Sequence, residues 1–406
     1  MTLGSADSTP EAEPWRIAVV VGTRPEVLKL APVIRCLQQR PDRFTPLVIA
    51  TAQHREMLDQ ALSVFRITPD VDLDLMRPNQ TLGTLTAAVL QVLTSTLATL
   101  KPRLVIVQGD TTTAFTSALA AFYTRIPVAH VEAGLRSGNP RNPFPEEVNR
   151  RLTAVLTDVH LAPTPLARRR LRREGVPARK ITVTGNTIVD TLVSLLDLAV
   201  GTGPGRMLSV DLALDGRRLL VVTSHRRESW GPDLESICRA IRELVLRFPD
   251  LLVVYPVHLN PNVSETVNRM LQGVERVHVI PPLDYVAFVG LMRRAHVILT
   301  DSGGIQEEGP TLRKPLLVLR KVTERPEAFR AGLAQLVGTD RASIVAAVSR
   351  LLTDPVAYRS MIADENPYGD GQAAERIVEA LTRWFRGLRP LLPREREFRP
   401  PALVAS

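Results

Sequence analysis

Apolar positions along the chain fall into short uninterrupted runs separated by longer stretches of helical period. The first run is Ile17-Ala18-Val19-Val20-Val21, followed by runs at 47–50, 104–107, 127–131, 159–161 and 181–184. Between them apolar residues recur about every 3.6 positions, as from Thr113 to Tyr123. Unbroken apolar runs suit strands covered on both faces. Strands alternating with helices predict parallel βαβ units. The rhythm then restarts, with strand-like runs at 219–222, 251–254, 277–280, 297–299, 316–319 and 334–337. About six strands in each half predict an α/β protein of two Rossmann-like, doubly wound domains facing an interdomain cleft. The domains are expected at 16–185 and 186–371, with the crossover at Gly185-Asn186 and a loop at 201–205. A helix over Gln372–Phe385, within a segment 372–388, is expected to pack back on the N-terminal domain. Residues 1–15 and the Pro/Arg-rich tail 389–406 are expected to be disordered.

Composition narrows the class. With 406 residues the chain has room for two or three domains and sizeable cores. The hydrophobic share is 45% and the charged share 23%, ordinary for a globular protein. No apolar run of about 20 residues is evident, and no secretory signal opens the chain, so a cytoplasmic protein without a membrane partner is expected. Two cysteines, Cys36 and Cys238, exclude a disulfide scaffold. The formal net charge is +9, and arginine carries nearly all of the positive charge. A basic chain invites a nucleic-acid reading. The densest run, Arg168 to Arg173, reads instead as the solvated face of a helix. Aromatics make up only 4% and do not interleave with arginine, so no nucleic-acid partner is expected. An anionic small substrate also suits a basic cleft.

Open α/β sheets bind ligands at the C-terminal ends of their strands, so the residues just after strands carry the chemistry. After the first strand stands Gly22-Thr23-Arg24-Pro25-Glu26-Val27-Leu28-Lys29. A helix N-terminus flanked by Arg24 and Lys29 is an anion site, or simply a helix start with solvated charges. Gln108-Gly109-Asp110-Thr111 follows the third run and Glu132-Ala133-Gly134-Leu135-Arg136 the fourth, and Glu146 lies in Pro143-Phe144-Pro145-Glu146-Glu147. Singly, Asp110 reads as a helix cap, Glu132 as a partner of Arg136 and Glu146 as dipole compensation. Three acids converging on one cleft favour acid–base chemistry, because neighbouring carboxylates can divide into an acid and a base.

The second half supplies Ser224-His225-Arg226-Arg227-Glu228 after its first strand. Two cations beside a histidine suit a diphosphate. His258 also follows a strand. Thr300-Asp301-Ser302-Gly303-Gly304-Ile305-Gln306-Glu307-Glu308 is the strongest single feature. Strand, Ser-Gly-Gly and helix form a phosphate cradle of bare backbone N–H groups. Glu308 lies about a helical turn further on, placed to accept ribose hydroxyls, and Arg325 adds a cation. The chain has no GxGxxG fingerprint, no GxxxxGK[ST] loop and no HExxH motif, so no cofactor and no metal are expected.

Taken in order, Gly22-Thr23-Arg24-Pro25, Thr51 to Leu58, Gln108 to Thr111, His130 to Arg136, His225 to Glu228 and Asp301 to Glu308 strongly resemble the bacterial non-hydrolysing UDP-N-acetylglucosamine 2-epimerases. The resemblance covers roughly Ile17 to Leu381. It implies the GT-B fold, a homodimer and reversible conversion of UDP-GlcNAc to UDP-ManNAc for polysaccharide biosynthesis. In that reaction UDP leaves C1 as the C2 proton is lost, giving 2-acetamidoglucal, and then adds back. Asp110, Glu132 and Glu146 carry over as acid–base carboxylates and His225 as a catalytic or diphosphate-binding group. Which carboxylate takes the proton stays open. Arg24, Lys29, Ser302, Gly303, Gly304 and Arg325 would hold diphosphate or sugar, with Glu308 at the ribose and Phe288 near the uracil. A second UDP-GlcNAc, bound as allosteric activator, would touch Gln53, Glu56, Glu146, Arg226 and His258.

Three positions depart from the family's usual pattern: Ser224 for glycine, Leu283 for glutamine and Asn79 for arginine. They bear on nucleotide contact and activator response more than on the chemistry. Rival readings are a hydrolysing epimerase releasing free ManNAc, an epimerase of a related UDP-linked diacetamido uronic acid, a GT-B glycosyltransferase, and a nucleotide-sugar-binding protein without catalysis.

Overall fold

The computed structural model describes residues 13–51, 55–77, 80–201, 214 and 216–401. The N-terminal lobe is built on a parallel sheet of seven strands: β1 Trp15–Val21, β2 Phe44–Ala50, β3 Val71–Asp72, β4 Leu104–Gln108, β5 Val128–Val131, β6 Val159–Ala162 and β7 Ile181–Val183. Their order is β3-β2-β1-β4-β5-β6-β7. The C-terminal lobe carries β8 Arg218–Thr223, β9 Leu251–Pro256, β10 Val277–Ile280, β11 Val297–Thr300, β12 Leu316–Val318 and β13 Ala334–Leu336. These run in the order β10-β9-β8-β11-β12-β13. Both sheets therefore reverse direction beside their first strand, which opens a crevice at the C-terminal ends of β1/β4 and of β8/β11. All of the predicted strands are present. The two-residue β3 escaped prediction because an alternating Val-Asp-Leu-Asp stretch gives no apolar run.

The unbroken apolar runs are buried as parallel strands require: Ile17 to Val21, Leu104 to Val107 and Leu219 to Val222 are each at most 2% exposed. The lobes are joined by helices that cross between them. The Arg24–Gln38 helix packs on Thr187–Gly201 and on Ala373–Phe385. The Thr191 hydroxyl donates to Leu28 O across this seam. Asp190 Oδ1 accepts from Ala374 N at 2.7 Å, capping the last helix. Burial pushes the Asp190 carboxyl up to about 7.

Three expectations are corrected here. Residues 389–401 are packed rather than disordered: Leu391, Leu392 and Phe398 are buried, and Glu397 accepts from the Thr182 hydroxyl and Val183 N at the edge of β7. At the other end Trp15 already belongs to β1 and stacks on Phe385, with ring centroids 4.5 Å apart. Finally, the Leu82–Leu100 helix is long and apolar enough to cross a membrane by length and composition alone. Its threonines and serine concealed that at the sequence level. Leu85, Val89, Leu93 and Leu97 lie buried on one side of it. Gln53, Asn79, the segment 202–205, residues 1–12 and 402–406 lie outside the described residues.

Candidate active site

Between the lobes lies a cavity of about 380 Å³. Arg24, Lys29, Asp110 and Glu132 line it from the N-terminal lobe. His225, His258, Phe288, Ser302, Gly304, Glu308 and Arg325 line it from the other, with Leu283 beside them. Arg24, Lys29, Asp110, Glu132, His225, His258, Ser302, Gly304 and Glu308 follow the strands after which the sequence places them.

The turn after β1 has no room for a side chain. A Cβ at Gly22 would come 2.4 Å from the Thr51 and Thr113 hydroxyls. Glu26 then caps its own helix, its carboxylate accepting from Gly22 N (2.8 Å), Thr23 N (2.7 Å) and the Thr111 hydroxyl (2.6 Å). Glu26 stands three positions after Thr23, the spacing of a capping box, and that spacing was the available signal for this acid. Carried forward by this helix, the Lys29 ammonium donates to Glu132 and lies 3.4 Å from Glu307. Although burial works against the charge, Glu132 and Glu307 hold Lys29 above the ordinary lysine range. Burial raises Glu132, and Lys29 offsets part of that. Asn186 donates to the same Glu132 oxygen at 3.2 Å. Glu132 has φ +67°, a left-handed conformation uncommon for a residue with a side chain.

Asp110 accepts a 2.5 Å ion pair from buried Arg150. Glu146 does not line the cavity, but its carboxyl is influenced by Asp110, Arg150 and Arg226. Burial first, and Asp110 second, push it up, and its Oε2 has no hydrogen-bond partner.

In the C-terminal lobe, Asp301 organises the turn after β8. Its Oδ2 accepts from His225 N (2.8 Å), Arg226 N (2.9 Å) and the Ser224 hydroxyl (3.0 Å), while His225 Nδ1 lies 3.1 Å from Oδ1. The serine that replaces the usual glycine thus donates to the aspartate that orients the histidine. Burial opposes the Asp301 charge, but these donors and His225 keep its carboxyl below the usual range.

Gly303 does not line the cavity, because a guanidinium lies against it. A Cβ there would come 2.6 Å from Arg325 Nη1 and 3.4 Å from Arg226 Nη2. Arg325 is itself fixed by Glu307 at 2.6 Å and by Glu324, and it approaches Glu132 at 4.0 Å. Arg320 joins Glu324 and Glu228, each at 3.0 Å. Glu308 accepts from the Tyr285 hydroxyl at 3.1 Å, and burial raises it to about 7. The His225 and His258 rings stack 5.8 Å apart.

Of the residues expected at the activator site, His258 lines the cavity, while Arg226 is half-buried and does not line it. Glu56 lies in the Arg55–Val64 helix. Arg150, Asn186, Tyr285, Asp301 and Glu307 were not foreseen. Asp301 and Glu307 stand inside the Ser-Gly-Gly motif, where adjacency was the only clue. Among the described residues, no group of three or more His, Cys, Asp or Glu side chains could hold a metal.

Two facing α/β lobes, with a Ser-Gly-Gly turn on one side of the cleft and strand-end acids on the other, make the GT-B arrangement. The family profile described as UDP-N-acetylglucosamine 2-epimerase matches residues 35–382. The Yersinia pestis UDP-N-acetylglucosamine 2-epimerase is 52% identical over 90% of this chain and 98% of its own length. The crystal structure of the Neisseria meningitidis UDP-GlcNAc 2-epimerase bound to UDP-GlcNAc superposes with a TM-score of 0.87 at 46% identity, covering 91% of this chain and all of that one. The Methanocaldococcus jannaschii UDP-GlcNAc 2-epimerase, solved with UDP-GlcNAc and UDP, gives 0.76 at 33% identity, over 90% of this chain and 99% of that one. The chain belongs to the UDP-N-acetylglucosamine 2-epimerase family and is an isomerase acting on UDP-GlcNAc.

Proposed function

We propose that the cleft interconverts UDP-GlcNAc and UDP-ManNAc by eliminating UDP across C1–C2 of the sugar and adding it back. The observation that carries this reading is the meeting, in one cavity, of Asp110 and Glu132 from one lobe with His225 and the Ser302–Gly304 turn from the other.

In the forward direction a base takes the C2 proton while the C1–O bond breaks and its electron pair leaves with UDP. The sugar remains as 2-acetamidoglucal. Return of a proton to the opposite face of C2, with UDP attacking C1, gives the epimer. The two faces need different proton carriers, and the Asp110–Glu146 neighbourhood supplies a pair. Asp110 is ion-paired to Arg150, and burial raises Glu146, which favours its acid form. Glu132 is tied by Lys29 and Asn186 and directs the ammonium toward the sugar–phosphate region. Charge developing on the leaving diphosphate meets the Ser-Gly-Gly backbone, Arg325 and His225, donors fixed before the reaction begins. Arg24 holds diphosphate or sugar, Glu308 the ribose, and Phe288 lies near the uracil.

A second UDP-GlcNAc, acting as activator, would lie against His258, Arg226 and Glu146; Gln53, also expected there, lies outside the described residues. The 5.8 Å stacking of His258 on His225 supports direct communication between the two positions. Homodimerisation is supported by apolar residues left uncovered on neighbouring helices: Phe122 (58% exposed), Tyr123 (59%) and Val155 (83%), beside the uncharged Leu82–Leu100 helix. UDP-ManNAc made in the cytoplasm would serve surface-polysaccharide synthesis.

Product analysis tests the reading. Incubation with UDP-GlcNAc should give a UDP-GlcNAc/UDP-ManNAc mixture at constant total nucleotide sugar. Stoichiometric release of UDP and free ManNAc would mean the hydrolysing reaction instead.

A further inference from the structure

A second cavity, of about 310 Å³, opens where the last helix and the C-terminal extension meet the N-terminal lobe. Arg40 and Arg43 reach it from the end of the Arg24–Gln38 helix and the start of β2. Arg383 and Arg386 come from the last helix and its end, and Arg396 from the extension. Among the described residues, Glu375 and Glu379 are the only acids in its lining, so five guanidinium groups face two carboxylates. The family match ends at residue 382, so Arg383, Arg386 and Arg396 lie past it.

The two glutamates are already committed. Glu375 pairs with Arg40 and Glu379 with Arg396, whose Nη2 lies 2.8 Å away. Arg383 donates its Nε to Pro390 O at 3.0 Å, which neutralises nothing. Arg43 has Asp42 at 3.2 Å, outside the cavity lining. Arg386 is exposed and forms no ion pair among the described residues. Like charges gathered in a concavity repel one another, and an anion with several oxygens relieves that repulsion through bidentate guanidinium contacts.

We propose that this cavity binds a small, soluble, multiply charged phosphate, such as the polyphosphate part of a nucleotide. The site is separate from the catalytic cleft, with which it shares no lining residue. Bound there, the anion bridges the N-terminal lobe, the last helix and the extension, and so strengthens the seam that joins the lobes.

The probe is sodium tripolyphosphate, titrated calorimetrically into full-length enzyme already saturated with UDP so that the cleft is occupied. One further binding event per chain is expected, with a rise in melting temperature. Arg386→Gln, which disturbs no ion pair, should weaken that event about tenfold while leaving kcat/KM for UDP-GlcNAc unchanged. Glu379→Gln should act in the opposite direction and tighten it, because it frees Arg396 and removes a negative charge. Absence of the event, equal affinity in Arg386→Gln, or weaker binding in Glu379→Gln would each overturn the proposal.

Discussion

The two lobes share one sheet plan and, in the proposed reaction, use it for opposite ends. At the strand ends of the N-terminal lobe stand acids: Asp110 held by Arg150, Glu132 by Lys29, and Glu146 nearby. At those of the C-terminal lobe stand donors and cations: the Ser-Gly-Gly turn, His225 and the Arg226–Arg320–Arg325 group, with Asp301 and Glu324 holding them in place. The lesson lies in the wiring. Cations of one lobe are neutralised partly by acids of the other, as Lys29 is by Glu307, and Arg325 approaches Glu132. The Lys29, Glu132, Glu307 and Arg325 group is therefore complete only when both lobes are in register, whereas Asp110 and His225 are held by partners within their own lobes.

If this division holds, damage to the first lobe should reduce turnover while UDP still binds. Asp110→Asn and Glu146→Gln should each lower kcat by about 10²–10⁴-fold, with UDP affinity, read by calorimetry, changed by less than about threefold. Glu132→Gln should lose similar activity and also melt at lower temperature, because it leaves buried Lys29 with Glu307 alone.

The seam between the lobes should respond to pH without touching the chemistry. The Asp190 carboxyl rises from 3.8 to about 7 on folding, so the folded chain prefers it protonated. Its stabilising contribution is full below about pH 4 and is lost as pH rises to about 7. Across that window the loss is of order 2–4 kcal/mol. Asp190→Asn should flatten this part of the stability–pH curve in thermal or denaturant melts, and kcat at pH 7 should stay unchanged.

Within the second lobe, Asp301→Asn removes the charge that orients His225. A fall in kcat of about tenfold is expected, with a shifted acid limb in the pH–rate profile that a purely structural role would not produce. Gly303→Ala places a methyl against Arg325 Nη1 and should weaken UDP binding about fivefold to tenfold, or about 1–1.4 kcal/mol, measured as a UDP dissociation constant. Equal losses of kcat and UDP affinity in variants of both lobes would erase the contrast.

Much of this arrangement was legible in the sequence because parallel strands announce themselves as apolar runs and their C-terminal ends are where ligands bind. Arg24, Lys29, Asp110, Glu132, His225, Ser302 and Glu308 all followed from position after a strand, and the six ordered motifs named the family. What stayed hidden were the partners. Asn186 reaches Glu132 from 54 positions away and Asp301 holds His225 from 76, separations that no local pattern encodes. Arg150 and Glu307 look like ordinary charges on helices until the fold buries them. The extension misled for the same reason: its Pro/Arg composition reads as disorder, yet Leu391, Leu392 and Phe398 are buried, and the Phe398 N–H donates to Val183 O of β7.

The most direct test of the central claim is the fate of one hydrogen. Run in deuterium oxide from unlabelled UDP-GlcNAc, the reaction should yield UDP-ManNAc carrying deuterium at C2, with 2-acetamidoglucal and UDP detectable on rapid quenching. UDP-ManNAc that retains its original hydrogen at C2 would contradict the account.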